Sequence, residues 1–205
     1  MALDFDEAKI VGKEPALWLG WTLATAAGML LGLLPFILLI DFLDLWLVRI
    51  LVPLWAGLMV GVLQWLVLRR YLTHCADWIL NGGAGWALGY ALGLIIIQAL
   101  AGTLLGALVG YILFGAIIAL LQWPVLRREI PNVVPWVLAS VAGWALGAYI
   151  SQAVLNAITS GDTLNQAVST AVISGVTGLV AGAITGVVLV LIIRRPEIQD
   201  EQPVA

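Results

Sequence analysis

Charged side chains are scarce in this 205-residue chain, where they make up 10% of the sequence against roughly 25% in an average globular protein. Twelve acidic and nine basic residues are too few to give a soluble domain of this size its polar surface. The single cysteine excludes a disulfide scaffold, and the lack of a large basic excess excludes a nucleic-acid binder. Hydrophobic residues make up 62% and the mean hydropathy is +1.08. The composition therefore predicts a protein that dissolves in lipid.

The long apolar stretches contain no carboxylates: all twelve Asp and Glu residues lie in the tails or loops. A proton or ion pump normally exposes an intramembrane carboxylate, so that class is not expected. The one histidine, His74, lies in a loop beside Cys75, and two ligands are too few for zinc. The sequence has no Ser/His/Asp, paired-carboxylate or phosphate-loop pattern. We therefore expect neither enzymatic activity nor a cofactor.

The charges divide the chain into apolar runs that set the number of membrane crossings. A spanning helix needs about 20 apolar residues for a hydrocarbon core about 30 Å thick. The run 78–126 would measure roughly 73 Å as one helix at 1.5 Å per residue. It therefore has to cross twice, with a turn near Gly102, where glycine allows a positive φ. Six spans are predicted, roughly 17–40, 47–69, 78–99, 103–126, 136–157 and 168–193.

The basic residues predict the orientation. Eight of the nine fall on one side of the six-span arrangement, and only Arg49 falls on the other. Because Lys and Arg favour the cytoplasmic side, both termini are expected there, with tails 1–15 and 196–205 flanking a membrane domain 16–195. Setting topology is a sufficient role for the arginines, and contact with anionic lipid headgroups is the alternative. They form three pairs: Arg69-Arg70, Arg127-Arg128 and Arg194-Arg195.

Self-comparison of the chain reveals a repeated two-helix hairpin. A shift of 58 residues lays Gln64-Trp65 on Gln122-Trp123, Arg69-Arg70 on Arg127-Arg128, Trp78 on Trp136 and Gly85-Trp86 on Gly143-Trp144. A shift of 65 places Trp21 under Trp86, and a shift of 67 places Gly182 under Gly115. Because each hairpin crosses twice, the copies are related by an axis along the membrane normal. The predicted fold is an all-α bundle of three parallel repeats, about 16–70, 78–128 and 136–195.

Small residues recur at every fourth position of the spans, as in Gly20-Ala24-Gly28-Gly32. In lipid, such faces let helix backbones approach closely, which supplies the packing that a hydrophobic force cannot. We expect most of these faces to pack inside the bundle. The alternative is that some of them remain free for partner subunits.

Five amide side chains lie within the spans, and an amide in hydrocarbon has to find a hydrogen-bond partner. Bonding between helices is the favoured interpretation. Two alternatives are a polar ring that lines a solute path and ligation of the magnesium of a pigment. The candidates for this interior polar ring are Gln64, Gln122, Gln98, Gln152 and Asn156.

The Gly-Trp motifs and the Gln-Trp-x-x-Leu-Arg-Arg motifs, across residues 15–195, resemble those of uncharacterised multi-pass membrane proteins of bacteria, cyanobacterial-type ones included. The resemblance implies a bacterial cytoplasmic or thylakoid-type membrane, and it implies no activity. We expect a non-enzymatic scaffold or assembly subunit, with lipid and other membrane subunits as partners and no nucleic acid. The alternatives are a permeation pathway for a small neutral solute or lipid and, third, a pigment-binding protein.

Overall fold

The computed structural model describes residues 12–39, 45–159 and 165–194, and all regular structure within these ranges is α-helical. Six of the helices are long and apolar enough to cross a membrane, which confirms, for the described residues, the predicted all-α class and the predicted number of helices of that length. The helices are α1 (Glu14–Gly32), α2 (Leu34–Leu39), α3 (Leu45–Leu68), α4 (Trp78–Ala99), α5 (Leu104–Leu126), α6 (Val134–Ile158) and α7 (Gln166–Ile193).

The first predicted span differs from the structure because it is interrupted. Residues 17–40 were expected to form one helix, whereas α1 ends at Gly32 and the short α2 follows it. Pro35 has no N–H to donate to the carbonyl four residues earlier. Just before it, the N–H of Leu33 bonds to the carbonyl of Leu30, only three residues earlier, at 3.1 Å. The expected turn between α4 and α5 is present, with positive φ at Gly102 (66°) and also at Ala101 (52°).

The six long helices form a closed ring. Each packs against two others, in the order α1, α3, α4, α5, α6, α7 and back to α1. The ring closes where the first and last long helices meet, and there the Glu14 carboxylate lies 3.6 Å from Nε of Arg194. At this end of the ring, called the arginine end below, α3, α5 and α7 finish and α1, α4 and α6 begin.

Glycines allow the ring helices to approach each other closely. A Cβ atom on Gly28 would lie 2.6 Å from Cα of Val60, and one on Gly57 would lie 2.5 Å from Cβ of Trp86. Both distances are far shorter than a van der Waals contact, so the backbones could not come this near with any larger residue. The small residues at these positions therefore serve contacts inside the ring.

The core lies in the half of the ring nearer the arginine end. The last buried residue of α4 is Gly93, the last of α6 is Ser151, and the first of α7 is Ser174. At the opposite end of the ring, the last turns of α4 and α6 and the first turns of α7 contain no buried residues. The side chains that can form a protected site therefore lie between the arginine end and the middle of the ring.

Candidate functional site at the centre of the ring

Three tryptophans from alternate helices meet at the centre of the ring. Trp21, Trp78 and Trp136 come from α1, α4 and α6, and each is at most 2% exposed. Their ring centroids are 5.6 to 5.7 Å apart and their planes cross at 63° to 78°. This edge-to-face arrangement is one that aromatic rings prefer, because the positive edge of one ring faces the negative face of the next. We call these three residues the indole layer.

The positions of the indole layer differ from the alignment that the sequence predicted for the first hairpin. The shift of 65 placed Trp21 under Trp86, but Trp21 lies with Trp78 and Trp136, which requires a shift of 57. The glycine contacts agree with this register. Gly28 approaches Val60 on the next helix in the same way that Gly85 approaches Ile118, and these pairs are 57 and 58 residues apart along the chain. The predicted alignment of Gly20-Trp21 with Gly85-Trp86 therefore differs from the alignment in the structure by about two helical turns.

A second aromatic layer lies about two turns deeper. Trp86 of α4, Phe114 of α5 and Trp144 of α6 have centroids 5.1 to 5.3 Å apart and are nearly perpendicular. Met29 of α1 packs against the same cluster. We call Trp86, Phe114 and Trp144 the inner aromatic layer. Together with the indole layer it fills the centre of the ring at two levels.

Buried hydrogen bonds join neighbouring helices beside the indole layer. Nε1–H of Trp21 donates to Oγ1 of Thr185 at 2.9 Å, and Nε1–H of Trp78 donates to Oε1 of Gln64 at 3.0 Å. The amide nitrogen of Gln64 in turn donates to Oγ1 of Thr25 at 2.9 Å. Gln64 therefore links α3 to both α1 and α4, with its oxygen and its nitrogen each engaged. This is the interhelical bonding that was favoured for the amides.

Replacing Gln64 by leucine is expected to lower the free energy of unfolding by about 1–3 kcal/mol, because the buried N–H of Trp78 loses its acceptor. Thermal or denaturant unfolding in detergent measures the loss. Gln152→Leu is the matched control, since Gln152 is exposed and its change should be near zero. Equal stability of the two variants would contradict the role assigned to Gln64.

A small polar cavity lies between the two aromatic layers. The centre of a water molecule can move within about 10 Å³ of this cavity, which means that the cavity holds about one water. A pigment or an organic solute does not fit into it. Its lining consists of Val60, Gln64, Trp86, Ile118, Gln122, Trp136, Ser140, Trp144 and Thr185.

The five predicted amides do not form one interior ring. Gln64 and Gln122 are buried and line the cavity, but Gln98, Gln152 and Asn156 are exposed near the far ends of α4 and α6. Gln152 donates to Oδ1 of Asn156 at 3.0 Å within α6. Side chains four residues apart on a helix can satisfy each other in this way without a partner from another helix. Of the five predicted amides, the structure therefore brings only Gln64 and Gln122 to the ring centre.

Three hydroxyl residues near the ring centre, Thr25, Ser140 and Thr185, were not predicted. A signal for one of them exists in the sequence. Gln64 and Gln122 each precede a leucine by four residues, and Thr185 precedes Leu189 by the same interval. All three leucines, Leu68, Leu126 and Leu189, are fully buried. Thr185 therefore occupies in α7 the position that the two glutamines occupy in α3 and α5. This correspondence is a shift of 63 residues, and it differs from the predicted shift of 67 that placed Gly182 under Gly115.

The predicted arginines that the structure describes are exposed together at the arginine end. Arg128 forms an ion pair with Asp77 at 2.6 Å, and the guanidinium of Arg69 lies 4.9 Å from the centre of the Trp65 ring. Among the described residues, no carboxylate lies within ion-pair distance of Arg69, Arg70 or Arg127. Arg195 lies outside the described residues. Lipid contact by these side chains stays a prediction.

Glu129 ties two loops together at this end. Its carboxylate accepts hydrogen bonds from the backbone N–H groups of Thr73, at 2.9 and 3.1 Å, and His74, at 2.6 Å, and from the Thr73 hydroxyl. Burial alone would raise the pKa of Glu129, but these hydrogen bonds outweigh burial and hold the pKa below its ordinary value. The loop after α3 is therefore fixed to the loop after α5 by one ionised carboxylate.

The lowered pKa of Glu129 predicts a loss of stability in acid. Its contribution is present above the pKa of the unfolded chain, about 4.3, and disappears as the pH falls through the lower pKa of the folded state. We expect Glu129→Gln to lower the melting temperature at neutral pH and to flatten the decline below about pH 4. Melting curves across this range test it, with Asp77→Asn as the control. Identical pH profiles for wild type and Glu129→Gln would contradict the assignment.

Comparison with known proteins finds no match: no family model, no curated protein and no solved structure resembles the chain. Among residues 12–39, 45–159 and 165–194, no three His, Cys, Asp or Glu side chains come together in a group that could hold a metal ion. The filled ring centre and the small cavity beside the indole layer are the features on which a functional proposal has to rest.

Proposed function

We propose that the chain is an integral membrane protein and a non-enzymatic scaffold or assembly subunit, built from three parallel two-helix repeats around an axis along the membrane normal. The observation that carries the proposal is the ring centre filled by the indole layer and the inner aromatic layer. A permeation pathway needs a wetted centre, whereas here edge-to-face aromatic rings occupy it at two levels.

Equivalent positions in the six helices support the repeat. The three members of the indole layer lie at equivalent positions of α1, α4 and α6, the first helices of the hairpins. In the second helices, α3, α5 and α7, the buried Leu68, Leu126 and Leu189 correspond. The shifts along the chain are 57 and 58 residues for the first helices and 58 and 63 for the second. The close contacts of glycine agree, since Gly32, Gly89 and Gly147 each approach the second helix of their own hairpin.

The outer surface supports insertion into a membrane. Large apolar side chains are exposed around the ring, among them Leu80 (69%), Leu138 (66%) and Leu105 (61%). In water such a surface would aggregate, but it matches the hydrocarbon of a bilayer. The exposed arginines at one end support a cytoplasmic location of that end and of both termini. A bacterial cytoplasmic or thylakoid-type membrane, with lipid around the ring, fits the resemblance noted in the sequence.

Labelling of a single cysteine tests the orientation. His74→Cys in a Cys75→Ala background places a thiol at a position whose native side chain is 72% exposed at the arginine end. A thiol reagent that cannot cross membranes should label it in inside-out vesicles and not in intact cells. Labelling from the outside only would contradict the proposed orientation.

Two measurements test the scaffold role. Tagged protein extracted from its native membrane in mild detergent should migrate in a complex with other membrane proteins. The purified chain in liposomes should leave the osmotic swelling rates for water, urea and glycerol equal to those of empty liposomes. A lone monomer that accelerates the entry of one of these solutes would overturn the proposal in favour of a permeation pathway.

A further inference from the structure

The polar groups around the cavity break the three-fold pattern. In the first hairpin, Gln64 donates to Thr25, and Thr25 has Gly82 and Ser140 as its equivalents at shifts of 57 and 58 residues. Gly82 offers no hydroxyl to the glutamine of its own hairpin, Gln122. In the third hairpin, which contains Ser140, the position of the glutamine is taken by the shorter Thr185. The bonds made in the first hairpin are therefore not reproduced in the other two.

Two buried polar groups on the cavity wall are left without a partner among the described residues. They are the indole N–H of Trp136, which is 2% exposed, and the hydroxyl of Ser140, which is 1% exposed. The other two members of the indole layer donate to Thr185 and Gln64. An unpaired N–H at such a site is destabilising, so native proteins normally satisfy it, often with an ordered water.

The cavity matches the size and chemistry of one water molecule. Its volume suits a single water, and a buried water typically makes about three hydrogen bonds. The lining residues include the N–H of Trp136, a buried donor without a partner, together with the Ser140 hydroxyl and the amide of Gln122, which can each donate or accept. A larger ligand has no room, and an ion would lack a charged partner among the lining residues.

We infer that this cavity is a binding site for one buried water molecule, held by the indole N–H of Trp136, the hydroxyl of Ser140 and the amide of Gln122. The water accepts from Trp136 and completes its hydrogen bonds with the other two groups. The water accepts from Trp136 in the way that Gln64 accepts from Trp78. The site does not depend on the scaffold role proposed above.

Nuclear Overhauser contacts between water and the indole N–H protons test the proposal in the full chain, labelled with ¹⁵N-tryptophan in detergent or nanodiscs. The N–H of Trp136 should show a direct contact to a long-lived water. The N–H groups of Trp21 and Trp78 are internal controls and should show none, because protein oxygens accept from them. Replacing each tryptophan by phenylalanine in turn assigns the three signals.

A second variant removes the water without emptying the site. Ser140→Val replaces the hydroxyl by a methyl group and adds a second methyl group, at a position whose equivalent in α1 is the branched Thr25. The water contact at Trp136 should be lost, and its N–H signal should move, while the signals of Trp21 and Trp78 stay in place. If Ser140→Val does not fold, the wild-type spectrum alone decides. A Trp136 N–H without a water contact in the wild type would overturn the proposal.

Discussion

Gly28→Ala is expected to destabilise the ring strongly, although it adds only one methyl group. The new Cβ would lie 2.6 Å from Cα and 2.9 Å from the backbone nitrogen of Val60, so helices α1 and α3 would have to move apart. Overpacking of this kind costs about 1–3 kcal/mol and sometimes more. The free energy of unfolding in mixed detergent micelles measures the loss.

Gly20→Ala on the same helix is the matched control. Its Cβ would meet only the methyl groups of Val67, at 3.8 Å, which is an ordinary contact. Since alanine is also the better helix former by about 0.5–1 kcal/mol, this variant should be as stable as the wild type or slightly more stable. Equal destabilisation by the two substitutions would show that α1 and α3 do not approach as closely as described.

Trp78→Ala is expected to have the largest effect of any single substitution in the ring centre. It removes a fully buried indole that contacts Trp21 and Trp136, and it deprives Gln64 of its donor. Truncating a buried tryptophan to alanine costs about 3–5 kcal/mol, because the cavity only partly collapses. Unfolding monitored by circular dichroism, which does not rely on tryptophan emission, measures the change.

Two comparisons make the Trp78 prediction specific. Trp55→Ala removes an indole that is 39% exposed and should cost much less. Trp78→Phe keeps an aromatic ring in the indole layer but removes the N–H, so its loss should fall between those of the other two variants. A Trp78→Ala protein no less stable than Trp55→Ala would argue against a packed indole layer.

The number and bounds of the long helices could be predicted from the sequence because both depend on local properties. Hydropathy and the positions of charges identified α4 as residues 78–99 and α7 to within two residues. The break at Leu33 was missed, although Pro35 signals it. A proline can either kink a helix or end it, and the apolar content of the segment does not reveal which of the two occurs.

The register of the first repeat and the membership of the polar site could not be predicted in the same way. Both depend on how each helix is rotated and placed against its neighbours. Gly20-Trp21 matches Gly85-Trp86 by letter, yet the contact between Gly28 and Val60 sets a different alignment. Likewise, Gln64 and Gln98 are the same residue type in apolar helices, and only the packing buries one and exposes the other.

The closed ring is the central claim, and it requires α1 and α7, the first and last long helices, to be neighbours. A cross-link between Leu30→Cys and Gly175→Cys, in a Cys75→Ala background, tests it most directly. In the structure a Cβ on Gly175 would lie 3.6 Å from Cδ2 of Leu30. A protease site inserted between α5 and α6 separates the two cysteines into different fragments after cleavage.

With a short bifunctional thiol reagent, the two fragments should stay covalently joined within one chain. The control pair, Leu30→Cys with Leu138→Cys, lies at opposite ends of the ring and should separate on cleavage. Efficient joining of Leu30→Cys to Gly175→Cys within a monomer is the result that the closed ring predicts. Fragments that separate, or that are joined only between two different chains, would contradict it.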